Sequence, residues 1–282
     1  MTRHGSFDRL GAATPASPVV VSVPHGGRDY PAAMLPLLAL PAGALRPLED
    51  RHIDTLARAA WGGETVLIER APRAWIDLNR AEQERDPAID AGADPRRQGA
   101  PSVKLRSGLG LVPRRVGGRD LWRGQLQARD VESRIASVHR PYHAALAEAL
   151  AAARARFGVA VLLDLHSMPP LGPPESVARV VFGDRFGRTS AARFVATLEA
   201  VADAAGLAHA LNTPYAGGHI LDRHGAPPRG IHAVQVELDR RLYLDPALDA
   251  PGPGFAAAAR LVRAMVTALA DEALGSLATA AE

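Results

Sequence analysis

Short apolar segments that alternate with amphipathic ones are the feature that most constrains how this chain can fold. Segments that read as buried strands occupy residues 19–23, 65–69, 159–164, 178–183 and 232–238. Between them, apolar residues recur at the three- and four-residue steps that are typical of helices. Strands that alternate with helices predict an α/β fold: a mixed, mostly parallel central sheet with helices on both faces.

Four helices are predicted, over residues 48–60, 124–157, 189–205 and 254–272. The segment 73–78 reads as a short strand or a turn. Residues 81–120 are rich in Arg, Gly, Pro and Asp and show little periodicity, so they form a loop-rich excursion of the kind that is often functional. We expect one domain over residues 1–282 that includes this excursion.

Composition excludes several classes of site and partner. The chain has no cysteine, so disulfides, thiolate metal sites and a cysteine nucleophile are excluded, and any metal must be held by His, Asp or Glu. The net charge is +3 without a basic run interleaved with aromatic residues, which argues against nucleic-acid binding. No stretch reads as a membrane span or a signal peptide, so we expect no membrane partner and a cytoplasmic location.

Two histidines stand where predicted strands stop. His25 follows the strand 19–23 in SVPHGG, and His166 follows the apolar run 159–163 in DLHSMPP. Sites of α/β sheets gather beyond the carboxyl ends of strands, so both imidazoles can face one crevice. For His25 alone, a hydrogen bond to loop backbone is the competing interpretation, and the repeated pattern at His166 weakens it.

Three carboxylates accompany these histidines. Asp164 shares a face with His166 and can fix its tautomer, or alternatively cap the next turn. Glu49 falls on the apolar face of the predicted helix 48–60, where a buried carboxylate requires a partner or a metal. Asp50, about 100° away on that helix, fits the ordinary stabilisation of a helix N-terminus better.

Polar residues later in the chain are candidates for contact with substrate or for catalysis. Asn79-Arg80 suits capture of a carboxylate, although a surface salt bridge with a nearby acid is a strong alternative. Glu237, near the end of strand 232–238, can act as a general base or can pair with a following arginine. The segment 213–225, with Gly217-Gly218, reads as a mobile loop that brings His219 or His224 to substrate or leaves both exposed.

A set of motifs in order resembles the N-formylglutamate amidohydrolase family over about residues 18 to 246. The motifs are SVPHGGRDYP, LEDRHIDTL, RAWIDLNR, GLGLVPR, RPYHAAL, DLHSMPP, GDRFG, NTPYAGGHI and HAVQVELDRRLY. Each motif alone is weakly specific, whereas the ordered set is specific. The resemblance implies a phosphorylase/hydrolase-like α/β fold, as in the zinc carboxypeptidases.

The resemblance also implies an activity: hydrolysis of a linear amide in an N-acyl amino acid, N-formyl-L-glutamate above all, in histidine degradation. It implies Zn²⁺ or another divalent metal. The implied ligands are His25, Glu49 and His166, with Asp164 orienting His166. The implied substrate-binding residues are Asn79, Arg80 and Arg114, and Glu237 and His224 are the implied catalytic groups. Carboxypeptidases have His-x-x-Glu, but Arg28 stands at that place here, so the carboxylate ligand is Glu49 or Asp50.

Two further functions stay open at this point. A related deacylase or carboxypeptidase-like peptidase would act on another N-acyl amino acid or on a peptide. A non-catalytic protein of the same fold would bind a small carboxylate without turning it over. The motifs PHGG and GGHI differ from the PHSG and GGYI of better-known members, and these differences lie near the expected pocket.

Overall fold

The computed structural model describes residues 2–97, 100, 102–173 and 177–279, and its central feature is an eight-stranded sheet. The ten strands are β1 (Thr2–His4), β2 (Phe7–Leu10), β3 (Val19–Val23), β4 (Thr65–Glu69), β5 (Arg115–Val116), β6 (Arg119–Asp120), β7 (Ala160–Met168), β8 (Val180–Gly183), β9 (His209–Leu211) and β10 (Ile231–Asp239). The helices are α1 (Ile53–Ala60), α2 (Val103–Arg106), α3 (Ala128–Arg134), α4 (Arg140–Phe157), α5 (Ala192–Ala204), α6 (His219–His224) and α7 (Phe255–Thr279).

The large sheet has the strand order β1-β2-β4-β3-β7-β10-β8-β9, and β5 and β6 form a separate hairpin. Strands β4, β3, β7 and β10 run parallel at its centre. Strand β2 joins β4 antiparallel at one side, and β8 joins β10 antiparallel at the other. The predicted α/β class with a mixed, mostly parallel sheet is therefore confirmed.

Each face of the sheet is buried by a separate apolar layer. Alternate side chains of one strand enter opposite layers, because successive strand residues point to opposite faces. Val161 and Leu163 of β7 pack with α1, α5 and α7 on one face, whereas Ala160 and Leu162 pack with α4 on the other. Burial on both faces explains why the central strands are apolar runs rather than alternating patterns.

The helix predicted over residues 48–60 is shorter in the structure. A 3₁₀ segment covers Ala42–Leu48, and α1 begins only at Ile53. His52 adopts a left-handed conformation with φ of 58°, which separates the two helical segments. Residues 49 to 51 therefore lie in an irregular connection, and the helical periodicity that assigned a face to Glu49 does not apply there.

The long helix predicted over 124–157 begins at Ala128 and contains one irregular turn. A π-turn at Ile135–His139 joins α3 to α4, and Pro141 occupies the first turn of α4, where its missing N–H is tolerated. Strand β7 also extends beyond its predicted end, so His166 lies inside the strand rather than after it.

The loop-rich excursion packs into the body of the protein. Leu111 is fully buried and Val112 is nearly so, both in the apolar layer that contains α4. The Trp122 indole N–H donates to the carbonyl of Pro113 at 2.8 Å. Among the residues described, no helix combines the length and the hydropathy needed to cross a membrane.

Candidate active site

Neighbouring strand ends bring the predicted polar residues together. In the parallel pair of β7 and β10, Asp164 lies beside Gln235, and His166 lies beside Glu237. Strand β3 pairs with the other side of β7, and His25 follows the end of β3 by two residues. These side chains therefore meet at the carboxyl edge of the sheet, where ligand sites of such sheets form.

His25 is held by a buried carboxylate on one ring nitrogen. Its Nε2 lies 2.8 Å from Asp77 Oδ1, and the residue is 1% exposed. Burial lowers the pKa of His25 to about 4, so the ring is neutral at pH 7 and Nε2 carries the proton donated to Asp77. Nδ1 is then a bare lone pair; it is buried without a hydrogen-bond partner among the described residues and lies 3.7 Å from Asp50 Oδ2.

His166 lies between two carboxylates. Its Nε2 is 3.0 Å from Asp164 Oδ2, and its Nδ1 is 3.1 Å from Asp50 Oδ2. Burial alone lowers the pKa of His166, but the charges and hydrogen bonds of Asp164 and Asp50 outweigh it and raise the pKa well above the ordinary value. The contact with Asp164 is the orienting arrangement that was expected from the DLH spacing.

Asp50, rather than Glu49, is the carboxylate that lies against both histidines. One nitrogen or oxygen from each of His25, Asp50 and His166 lies within 4.8 Å of the others. The Asp50 backbone N–H donates to the carbonyl of His25 at 3.1 Å, which fixes the two residues beside each other. Burial raises the pKa of Asp50, but the hydrogen bond and charge of His166 and the charges of His25 and Arg240 together outweigh it. They hold the pKa at about 2, so this carboxylate is ionised.

The structure places the Glu49 carboxylate elsewhere, contrary to its assignment as a ligand. Glu49 accepts a hydrogen bond from the Tyr30 hydroxyl and one from Arg51 Nη1 at 2.6 Å. The physical reason is the late start of α1: without a helix at residues 49–52, consecutive side chains point in directions that helical periodicity does not describe. The competing N-terminal interpretation of Asp50 fails for the same reason.

The set His25, Asp50 and His166 fits a divalent metal. Each imidazole presents one nitrogen to the common centre, while its other nitrogen contacts a carboxylate, which is the arrangement around metal-bound histidines. The buried, unpartnered Nδ1 of His25 is costly unless a cation or a donor meets it. Two imidazoles and a carboxylate suit zinc with a position left for water.

A cavity of about 360 Å³ opens beside these three residues. The predicted site residues Asn79, Arg80 and Glu237 line it. Neighbouring segments also line it: the stretch Ser167–Pro169, the loop Pro214–Gly218, and Gln235 of β10. Within the excursion, Lys104 and Leu109 reach the cavity wall. The excursion therefore contributes to the wall of the site.

Asn79 and Arg80 are anchored so that they face this cavity. Asn79 Oδ1 accepts from the Ile220 backbone N–H at 3.0 Å, and Arg80 Nε donates to the carbonyl of Leu109 at 2.8 Å. Both side chains are nearly buried, at 7% and 6% exposure. The ion pair considered for this segment is present, since Arg80 Nε lies 3.9 Å from Asp77 Oδ2, but it is buried rather than at the surface. Gly218 is required beside Asn79, because a Cβ there would lie 2.4 Å from Asn79 Oδ1.

Three further cations line the cavity, and sequence reasoning did not select them. Arg73 pairs with Asp77 at 2.8 Å, Arg240 lies 3.3 Å from Asp50 Oδ1, and Lys104 lies on the excursion. Burial, and after it the charges of Arg80 and Arg73, lower the pKa of Lys104. The motif RAWIDLNR places Arg73 four residues before Asp77, but this segment is a turn rather than a helix, so the spacing alone did not indicate the pair. No signal in the sequence marks Lys104.

Glu237 lies in the cavity wall beside His166. Gln235 Nε2 donates to Glu237 Oε1 at 2.9 Å, and Glu237 is 8% exposed. Burial raises the pKa of Glu237 above its ordinary value, and the nearby Asp50 carboxylate adds to that rise, against the opposing charge of His166. A carboxylate with a raised pKa beside a reaction cavity can both accept and return a proton near neutral pH.

Two predicted site residues lie away from the cavity. Arg114 forms an ion pair with Asp86 at 2.7 Å, within the excursion. His224 is buried and lies 2.9 Å from His143, in a separate group of histidines that also contains His219. Part of the loop predicted over residues 213–225 lines the cavity, at Pro214–Gly218. The rest is helical, because α6 begins at His219, and neither His219 nor His224 is among the residues that line the cavity.

Comparison with known proteins gives a consistent result. Residues 17–244 match the family model described as N-formylglutamate amidohydrolase. The chain is 33% identical over 265 residues to an N-formylglutamate deformylase of Pseudomonas aeruginosa, covering 91% of this chain and 92% of that protein. It is 31% identical over 236 residues to an N-formylglutamate deformylase of Pseudomonas putida, covering 81% and 82%.

A solved structure shares the fold. The crystal structure of N-formylglutamate amidohydrolase from Ralstonia eutropha JMP134 matches with a TM-score of 0.86 at 33% identity, covering 95% of this chain and 98% of that one. The family expected from the ordered motifs is thus confirmed by sequence and by structure.

Proposed function

Because the chain belongs to the N-formylglutamate amidohydrolase family, we propose that it hydrolyses N-formyl-L-glutamate to formate and L-glutamate with the help of a divalent metal. The observation that carries this proposal is the convergence of His25, Asp50 and His166 beside Glu237, in a cavity lined by cations. The proposed metal ligands differ from the set expected from the sequence only in that Asp50 replaces Glu49.

His25 Nδ1, His166 Nδ1 and the Asp50 carboxylate are the proposed ligands, and Zn²⁺ is the ion that this donor set favours. When bound, such an ion lowers the pKa of a water molecule to about 7 and polarises an acyl carbonyl. Asp77 and Asp164 accept hydrogen bonds from the Nε2–H groups of the two histidines and so aim both Nδ1 atoms at one point. His166 Nδ1, which donates to Asp50 here, would give up its proton to bind the ion.

Glu237 is the proposed general base and acid. Its carboxylate takes a proton from the attacking water and passes it to the amide nitrogen as the C–N bond breaks, so formate and a free amine result. The hydrogen bond from Gln235 fixes the orientation of Glu237 for both transfers. Burial keeps its pKa high enough for the proton to be held between the two steps.

The charge of the cavity suits a substrate with two carboxylates. Arg73, Arg80 and Lys104 line it together, and the buried Asp77 is the acid nearest to the two arginines. The two carboxylates of a dianionic amino acid such as N-formylglutamate supply negative charge that pairs with these cations. Asn79 is fixed at the same wall, where its amide Nδ2 lies 3.3 Å from Gln235 Oε1.

A panel of N-acyl amino acids tests this function. Formate release from N-formyl-L-glutamate should exceed that from N-formyl-L-alanine, which lacks the second carboxylate, and acid release from N-acetyl-L-glutamate. Activity should disappear with a chelator and return with Zn²⁺. Turnover of the whole panel at equal rates, or full activity after verified removal of metal, would contradict the proposal. Zinc as the metal, a role in histidine degradation and a cytoplasmic location stay predictions.

A further inference from the structure

A second group of buried histidines lies behind the cavity wall. His139 ends the π-turn, His143 lies one turn later on α4, and His219 begins α6. Their ring centroids are 4.4 Å apart for the first two, and His219 is 6.0 Å and 5.3 Å from them. One ring nitrogen from each lies within 4.8 Å of one from each of the others.

Backbone carbonyls set the tautomers of the two helical histidines. His139 Nε2 lies 2.8 Å from the carbonyl oxygen of Arg80, and His143 Nε2 lies 3.0 Å from that of Leu78. A carbonyl only accepts, so each Nε2 must carry the proton and each Nδ1 must be a bare lone pair. Donation of one ring N–H to a carbonyl is the usual support of a metal-bound histidine.

Two ring nitrogens of the three histidines are buried without a hydrogen bond. His139 Nδ1 and His219 Nε2 have no hydrogen-bond partner among the described residues, and His139 is 0% exposed. A buried nitrogen without a hydrogen-bond partner destabilises a fold, and a bound ligand compensates for that cost. Burial also lowers the pKa of all three rings, which keeps them in the neutral form that binds metals.

We propose that His139, His143 and His219 form a second metal site, distinct from the one at His25, for a borderline divalent ion such as Zn²⁺ or Co²⁺. Imidazole ligands select ions of this class, and histidines four residues apart on one helical face are a common zinc-binding pair. Nitrogens bound tetrahedrally at about 2.0 Å lie about 3.3 Å apart, so the rings need to approach by at most about 1.5 Å.

The surroundings of the cluster are compatible with a cation. Glu82 Oε1 lies 3.7 Å from His139 Nδ1, and Glu82 is also paired with Arg140. His224 Nε2 lies 2.9 Å from His143 Nδ1 and donates to it, so metal binding replaces this hydrogen bond. Arg223 is the nearby positive group that opposes the site.

The position of the cluster gives such an ion a structural role. The carbonyls that hold His139 and His143 belong to Arg80 and Leu78, on either side of Asn79. His219 is followed by Ile220, whose N–H meets the Asn79 side chain. A metal would therefore join α4 to α6 around the segment that faces the cavity; this positioning role rests on the proposed function, whereas the metal site itself does not.

Metal titration of the full-length protein tests the inference. Chelator-treated protein is titrated with Zn²⁺ by calorimetry and with Co²⁺ by visible absorption, which together count the sites. Wild type should bind two ions per chain. His219→Ala and His139→Gln should each bind one, and His166→Ala should bind one while keeping the second site. Two ions bound by His219→Ala and His139→Gln, or a single site in wild type that only His166→Ala removes, would overturn it.

Controls separate this inference from the proposed function. His209→Ala removes a partly exposed histidine of β9, paired with Asp203 at the far edge of the sheet, and should bind two ions. Circular dichroism of the metal-free variants checks folding. If His219→Ala does not fold, His139→Gln provides the same test. Wild type with one site that is lost in His219→Ala but kept in His166→Ala would contradict the catalytic metal and support the second site.

Discussion

Glu49 and Asp50 are adjacent carboxylates in one irregular segment, yet they make different contacts. Glu49 accepts hydrogen bonds from Tyr30 and Arg51, which compensate for its burial. Asp50 turns towards the two site histidines and lies 3.3 Å from Arg240. The two residues lie before α1, whose first turn is preceded by His52 in a left-handed conformation, so helical periodicity does not relate their side-chain directions.

Glu237 gives the residue-scale prediction. Glu237→Gln preserves the size of the side chain and can still meet Gln235, but it cannot carry the proton from water to the leaving amine. We expect kcat on N-formyl-L-glutamate to fall by about 10²- to 10⁴-fold. Steady-state kinetics measures kcat, and elemental analysis measures the metal content. The metal content of the variant should equal that of wild type. A kcat within threefold of wild type would remove Glu237 from the mechanism.

At the scale of elements, the placement of site residues at strand ends could be predicted from the sequence, whereas the start of α1 could not. Proline and glycine after an apolar run mark where β3 ends, and this placed His25 correctly. The parallel register of β7 and β10 then carried His166 and Glu237 to the same edge. The left-handed turn at His52 leaves no pattern in the residue types, so Glu49 was assigned in place of Asp50.

The residues of the excursion were the hardest to assign to the site or away from it. Lys104 arrives from α2 in the excursion, and no periodicity connects that segment to the sheet. Arg114 was selected from a motif but pairs with Asp86, since its segment turns away from the cavity. Tertiary packing alone decides both positions.

The start of α6 gives the element-scale prediction. Gly218→Ala adds a Cβ within 2.4 Å of Asn79 Oδ1, so either Asn79 or the helix must move. We expect KM for N-formyl-L-glutamate to rise about tenfold, corresponding to about 1.4 kcal/mol, with a smaller change in kcat. Gly124→Ala is the matched control, because its added Cβ meets nothing within 4 Å. A KM equal to that of the control would show that Asn79 does not position substrate.

For the whole molecule, the sheet buries one carboxylate that works against stability at neutral pH. Glu69 of β4 is 2% exposed and accepts from the Ala71 N–H at 2.8 Å and from the Ser6 hydroxyl at 3.0 Å. Burial raises its pKa to about 8 from 4.5, so it is protonated in the folded protein over a range where the unfolded chain has lost the proton. Its contribution to stability is therefore largest below pH 4.5 and is lost as the pH rises to about 8.

Glu69→Gln removes this titration. Relative to the variant, wild type should lose unfolding free energy at up to about 1.4 kcal/mol per pH unit between pH 5 and pH 8. Urea unfolding at four pH values measures the slope, and Glu148→Gln, at an exposed position of α4, should follow wild type. Parallel stability curves for wild type and Glu69→Gln would show that Glu69 is ionised in the folded protein.

The metal centre of His25, Asp50 and His166 is the central feature of the proposed mechanism, and one paired measurement tests it directly. Metal content and kcat/KM on N-formyl-L-glutamate are determined for Asp50→Asn and Glu49→Gln. Orienting groups alone change metal affinity or activity by about 10- to 100-fold, so loss of a ligand in Asp50→Asn should lower kcat/KM by more than about a hundredfold and reduce bound metal. Glu49→Gln should keep both. The reverse pattern, with metal lost in Glu49→Gln and retained in Asp50→Asn, would contradict the account.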